Sequence, residues 1–359
     1  MLKYVLFTFA LVGFMTKADN NKFTTESQLE SIYEDEIAYF WQQGNFSHFS
    51  GVDNVRINYA TFIKNSDTIP AKCLVVSSGR SESYLKYKEL AFDLSNHGFS
   101  VFLIDHRGQG LSQHLLANHH KGHVDNFQYY VDDLNNFIEN IVTPHCQGSK
   151  PYLLAHSMGG AIAARYLQDF PNKTQAAVLS SPMFGFNSGS IPNFIAELVL
   201  TVSAQLNQWF DNTPWYFLGH KGFSHSEFSD NILMHSPIRY QLFSQLYNTT
   251  PDIQLGGVTV QWLTESQKAL EKIFNNVDKI TTPTLVLQAG QDKIIDNQAQ
   301  NDFCHQLHQL QPQSCPDGKP LLIEDAYHEL FFESDEYREQ ALQAAIQWLE
   351  QHSTQISSR

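Results

Sequence analysis

The chain has 359 residues, 42% of them hydrophobic and 13% aromatic, enough apolar material for a sizeable core. That composition excludes a disordered or collagen-like polypeptide, and the length suggests two domains or one large α/β domain with an insertion. Lys and Arg number 23 against 37 Asp and Glu, a net charge of −14 with no basic block, which argues against nucleic acid as a partner because phosphate binding needs clustered cations.

In chain order, Lys3 precedes an apolar run from Tyr4 to Met15, followed by Thr16-Lys17-Ala18 and the polar Asp19-Asn20-Asn21. The run is shorter than the roughly 20 residues that span a bilayer. Its charged start and small residue before a polar stretch predict a signal over 1–18 and an exported chain, periplasmic or secreted. Glu26 to Trp41 has helical apolar spacing and a capping box at Thr25 and Gln28. Val55 to Ile63 alternates as a strand, and Cys73 to Ser77 is a second strand. The following Ser78-Gly79-Arg80-Ser81-Glu82 makes a tight turn. A helix over Tyr84 to Asn96 stops near Gly98, and Ser100 to Asp105 is a continuous apolar strand.

Asp105-His106-Arg107-Gly108-Gln109-Gly110 lacks the third glycine of a dinucleotide fingerprint and reads as a structural loop. His119, His120 and His123 have no carboxylate at ligand spacing, so no metal is expected. Asn126 to Ile141 is a helix, Tyr152 to Ala155 a strand, and Met158 to Gln168 a helix ended near Pro171. Ala176 to Ser180, Thr284 to Ala289 and Leu321 to Ile323 complete the strands. Apolar strands alternating with helices predict a mostly parallel sheet covered on both faces. Residues 183–255 break the rhythm with an aromatic-rich stretch, read as an inserted lid between core segments 19–182 and 256–359.

Ala155-His156-Ser157-Met158-Gly159 joins a predicted strand to a predicted helix, the context of a nucleophile elbow, where only small residues fit two positions either side of the serine. A serine hydroxyl needs a base, and in this architecture the order is Ser, acid, His. His328 follows the last strand and suits the base; His305 and His308 fall in a predicted helix. Asp292 comes three residues after the strand ending at Ala289 and is the expected acid, with Asp296 the alternative. The oxyanion donors are expected to be the backbone N–H groups of Met158 and Arg80. The Arg80 side chain has two readings: a contact to a phosphate or glycerol group, or an ion pair with Glu82 or Glu89. Of the four cysteines, Cys304 and Cys315 flank a short polar loop and are the expected disulfide. Cys73, inside an apolar strand, reads as a buried free thiol.

The runs Ser78 to Ser83, Tyr87 to Leu94, Asp105 to Gly110, Ala155 to Gly160 and Ala326-Tyr327-His328 together resemble the α/β-hydrolase branch of bacterial lysophospholipases and monoacylglycerol lipases. The resemblance runs from about Ile37 to Ile346 and takes in Asn231 to Tyr240 and Gly256-Gly257. It implies an α/β-hydrolase fold with an inserted helical lid, and hydrolysis of single-chain lipid esters with Ser157, Asp292 and His328 in the triad positions. Lysophospholipid or monoacylglycerol is the implied substrate. No cofactor is required, and peripheral membrane contact is expected. Acyl transfer, peptide hydrolysis and non-catalytic lipid binding are the alternatives. Phe194, Leu198, Trp209 and Trp215 are the expected acyl groove. The chain departs from the family in its export signal and in Ser78, where many lipases place His.

Overall fold

The computed structural model describes residues 23–64, 72–187, 193–210, 213–224 and 226–353; within 193–197 the side chain of Ile195 alone is described. The expected export segment 1–18 and the side chain of Phe194 lie outside the described residues.

Eight strands form one sheet: β1 Asn45–Ser50, β2 Arg56–Phe62, β3 Lys72–Ser77, β4 Phe99–Ile104, β5 Tyr152–His156, β6 Ala177–Ser180, β7 Thr284–Ala289 and β8 Leu321–Ile323. Their spatial order is β1-β2-β4-β3-β5-β6-β7-β8. β1 and β2 pair antiparallel, as do β2 and β4, and every later pair is parallel. β4 to β7 are buried along their whole length, which is why their sequences are nearly continuous apolar runs. β1, Asn-Phe-Ser-His-Phe-Ser, is a half-exposed edge strand that pairs on one side only, and its polar composition hid it from the sequence pattern.

Period-two alternation divides the core. On β3, Cys73 and Val75 face one side, with α4 Gln128–Phe137, α5 Met158–Asp169, α8 Val260–Asn275 and α9 Asn297–Leu310. Leu74 and Val76 face the other, with α2 Ala38–Gln42, α3 Lys88–Asn96 and α10 Asp335–Gln351. The predicted first helix is realised as α1 Glu26–Ile32 and α2 joined by a π-helical turn, Tyr33–Ile37. Between β6 and β7 come α6 Asn193–Phe210, α7 Pro237–Thr249 and α8; neither α7 nor α8 stood out as a helix in the sequence.

One cysteine expectation is overturned. Cys73 is bonded to Cys146, with Cα atoms 5.6 Å apart. Burial was read correctly, since both are at most 1% exposed. The partner was missed because it lies 73 residues away, where the chain returns to the β3 face at the end of α4 and a π-helical turn, Ile138–Val142. Cys304, on α9, is bonded to Cys315.

Candidate active site

Every segment of the site leaves the sheet at a strand's carboxyl end, where open α/β sheets bind their ligands. Ser157 directly follows β5 and adopts φ 52°, ψ −117°, a conformation that costs a non-glycine residue energy. Tight packing enforces that turn. A Cβ at Gly159 would lie 2.3 Å from Ser77 O, and one at Gly160 would lie 2.7 Å from Pro182 Cβ. Any side chain at these two positions would push α5 off the sheet. The Ser157 N–H donates to Ser180 O at 3.0 Å, fixing the turn to β6.

Three predicted side chains meet here. The Ser157 hydroxyl lies 2.9 Å from His328 Nε2, and His328 Nδ1 lies 2.7 Å from Asp292 Oδ2. The carboxylate accepts the Nδ1 proton, which leaves Nε2 as the acceptor for the serine hydroxyl. Asp292 Oδ1 takes the N–H groups of Ile294 at 2.8 Å and Ile295 at 3.0 Å. Burial would raise this carboxyl, but His328 and the two amides more than offset it and hold it below its ordinary value. Asp296 is elsewhere: its Oδ1 accepts from Gln298 N at 2.9 Å and caps α9.

The turn after β3 lies beside Ser157 because Ser77 is the register partner of Ala155. Gly79 sits so close to the site that a Cβ there would lie 3.0 Å from His156 Cδ2. Gln109 Nε2 braces the turn, donating to Gly79 O at 2.7 Å and Glu82 O at 3.1 Å. The Asp105–Gly110 loop is thus a support for the site. Met158, the first residue of α5, presents its N–H at the positive end of that helix.

A buried cluster beneath the turn was not singled out in the sequence. Glu82 accepts from Gly79 N and the Tyr87 hydroxyl, and Lys86 Nζ joins Glu82 at 2.7 Å to Glu329 at 2.6 Å. Burial would raise the Glu82 carboxyl, but Lys86, His156 and its hydrogen bonds hold it at about 2. The His156 ring, pushed down to about 3 by burial, stays neutral 4.9 Å from the His328 ring. Two signals pointed here: Glu82 ends the turn after β3 and Glu329 follows His328. Glu82, His156 and Glu329 also place ligand atoms within 4.8 Å of one another. Lys86 already occupies the space between the carboxylates, so the cluster carries its own cation.

Of the expected groove residues, the three whose side chains are described do not close a groove. Leu198 is 60% and Trp209 69% exposed, while Trp215 is partly buried. α6 turns Leu200, Ala204 and Gln208 toward a trough shared with Gln267 and Glu271 of α8, so Leu198 and Trp209 fall on its outer face. The expected Arg80 ion pairs are also absent: Glu82 is taken by Lys86, and Glu89 by Arg239 at 2.9 Å.

A mostly parallel sheet with Ser, Asp and His in that chain order on the strand ends defines an α/β-hydrolase. The chain belongs to the family described as serine aminopeptidase, S33, which matches residues 68–335. It is 37% identical over 337 residues to lysophospholipase L2 of Escherichia coli strain K12, covering 94% of this chain and 96% of the relative. Monoglyceride lipase of Rattus norvegicus is 27% identical over 292 residues, covering 81% of this chain and 86% of the relative. Among solved structures, the monoacylglycerol lipase of Paleococcus ferrophilus superposes with a TM-score of 0.61 at 21% identity, over 83% of this chain and 99% of that one.

Proposed function

We propose that this carboxylic ester hydrolase cleaves the acyl ester of single-chain lipids, lysophospholipids first among them, through an acyl-enzyme on Ser157. The observation that carries the reading is the Ser157–His328–Asp292 relay, at 2.9 Å and 2.7 Å, on a strained strand-to-helix turn. His328 takes the Ser157 proton as the oxygen attacks the acyl carbonyl. The N–H groups of Met158 and Arg80 receive the developing oxyanion. Breakdown expels the glycerol-bearing alcohol, protonated by His328, and water then releases the fatty acid by the same roles. The pairing with lysophospholipase L2 over nearly the whole chain favours a lysophospholipid over a monoacylglycerol.

The outer face of α6 supports contact with a membrane. Ile195, Leu198, Val202, Leu206 and Trp209 recur at helical spacing and stand 38% to 69% exposed. Glu197 is the sole charged residue in the helix. Among the described residues no helix is long and apolar enough to cross a membrane. An amphipathic helix of this kind lies in the interface plane, and with a net charge of −14 the fitting surface is zwitterionic. The two disulfides support the export reading, since such bonds persist in oxidising compartments.

A fluorophosphonate probe tests the nucleophile: wild type is labelled and Ser157→Ala is not. Turnover of lysophospholipids, monoacylglycerols, acetyl esters and aminoacyl peptides then tests the substrate. Single-chain lipids are hydrolysed fastest, and a preference for peptides would refute the reading.

A further inference from the structure

The buried cations of this protein are paired with carboxylates. Lys86 joins Glu82 and Glu329, Arg107 joins Asp133, Arg239 joins Glu89 and Asp335, and Arg338 joins Asp93. Arg80, a half-buried cation beside the site, differs. Its Nη1 donates to Gly256 O at 2.9 Å, and its guanidinium lies 6.0 Å from the centre of the Trp262 ring. It forms no ion pair among the described residues. The surrounding groups are neutral. A Cβ at Gly122 would stand 3.5 Å from Nη1, and Tyr130 and Trp262 are buried beside it. Burial lowers the Arg80 pKa, yet a guanidinium stays charged in any protein. His220, lowered by burial and then by the Arg80 charge, accepts Val258 N–H on Nδ1 at 3.0 Å. Its remaining ring proton is therefore on Nε2, a further donor on the same wall.

We infer that the Arg80 side chain is the phosphate subsite of this active site, holding the headgroup phosphodiester of a lysophospholipid while its own backbone N–H serves the acyl carbonyl. The inference rests on the lipid-esterase reading above and names the part of the substrate that the triad does not touch. A partly desolvated cation without a carboxylate costs free energy that an anionic ligand recovers. The geometry of the substrate fits one residue doing both tasks. In a lysophospholipid only the glycerol carbons separate the acyl ester from the phosphate, and in Arg80 only a four-bond side chain separates the peptide N–H from the guanidinium. Nη1 spends one donor on Gly256 O, and the planar fork keeps others for phosphate oxygens. A monoacylglycerol offers only a hydroxyl there. Arg80 thus sets the preference between the two lipids.

The test compares kcat/KM for myristoyl lysophosphatidylcholine and for 1-monomyristoylglycerol, each below its micelle concentration, in wild type, Arg80→Met and Arg80→Lys. The lysophospholipid-to-monoacylglycerol ratio is expected to fall about 10- to 100-fold in Arg80→Met, the loss of one charge-assisted contact, and to recover in part in Arg80→Lys. Glycerophosphocholine inhibits wild type competitively and Arg80→Met weakly. An unchanged ratio, with both substrates losing equally, overturns the subsite and leaves Arg80 as a strut to Gly256, while the esterase reading stands. Inorganic phosphate inhibiting as strongly as glycerophosphocholine reassigns the site to free phosphate and also overturns it. Wild type hydrolysing neither lipid is a different failure, that of the proposed function itself.

Discussion

α5 and α6 are both apolar helices, and their fates are opposite. In α5 every residue from Met158 to Gln168 is buried, while α6 leaves Leu198 60% and Trp209 69% exposed. The difference lies in side-chain size and in what stands opposite. Gly159, Gly160, Ala161, Ala163 and Ala164 bring the α5 backbone against the sheet, so the nucleophile at its start is held rigidly. α6 carries large residues on a side that no other element among the described residues covers. Apolar composition therefore has two outcomes: packing that fixes the turn at Ser157, and an exposed face of the kind that marks interaction surfaces.

The largest effects belong to the packed side of that comparison. Ser157→Ala or His328→Ala should lower kcat on any ester by on the order of 10⁴-fold or more. Asp292→Asn should cost about as much, because an amide favours the wrong imidazole tautomer. Asp296→Asn should cost far less in turnover and little in stability, because an asparagine oxygen caps a helix about as well as an aspartate. Measured kcat and urea midpoints separate the two. The opposite ranking, with both proteins folded, would move the acid to Asp296.

Stability comes next. The Cys73–Cys146 bond closes a 73-residue loop and should contribute about 4 kcal/mol, against about 3 kcal/mol for the short loop of Cys304 and Cys315. Urea denaturation of the two double Cys→Ala variants should rank them in that order. Equal midpoints to wild type would mean neither bond forms in the folded protein.

Acid should loosen the same packed core. His106 and His156 are pushed down to about 3 by burial, from an ordinary value of 6.5. The unfolded chain therefore binds protons that the fold refuses. The stability each contributes is complete above about pH 6.5 and is lost as the pH falls toward 3. Between pH 7 and pH 5 each should cost roughly 2 kcal/mol. Urea midpoints at the two pH values check this, and His106→Asn should flatten the dependence by one histidine's share. Asp105, raised to about 7 by burial, acts in the opposite direction, so the comparison with His106→Asn isolates the histidine; an unchanged pH dependence in that variant would contradict it.

The smallest effect belongs to the exposed helix. Leu198→Asp with Trp209→Asp should weaken binding to phosphatidylcholine vesicles at least tenfold, since each buried apolar side chain is worth about 1.5–3 kcal/mol. Co-sedimentation reads the loss. Turnover of vesicle-borne substrate should fall more than turnover of a dissolved acetyl ester. Unchanged sedimentation would mean the face meets something other than lipid.

What the sequence determined by itself was local. A strand-to-helix turn needs small residues around its serine, a buried parallel strand needs a continuous apolar run, and both requirements act within a few positions. Hence β2 to β8, the turn at Ser157 and the order Ser, Asp, His were legible. The tertiary structure decided whatever depends on residues far apart in the chain. Spacing favours Asp292 over Asp296 without deciding between them; they separate because the Ile294 and Ile295 amides and His328 converge on one, and α9 claims the other. Cys73 found Cys146, Lys86 found Glu329, and β1 became a strand because an edge of the sheet was open to it. The outer face of α6 and the lone charge of Arg80 are of the same kind. Whether an apolar face is covered, or a cation paired, is fixed by which other elements the fold brings beside it.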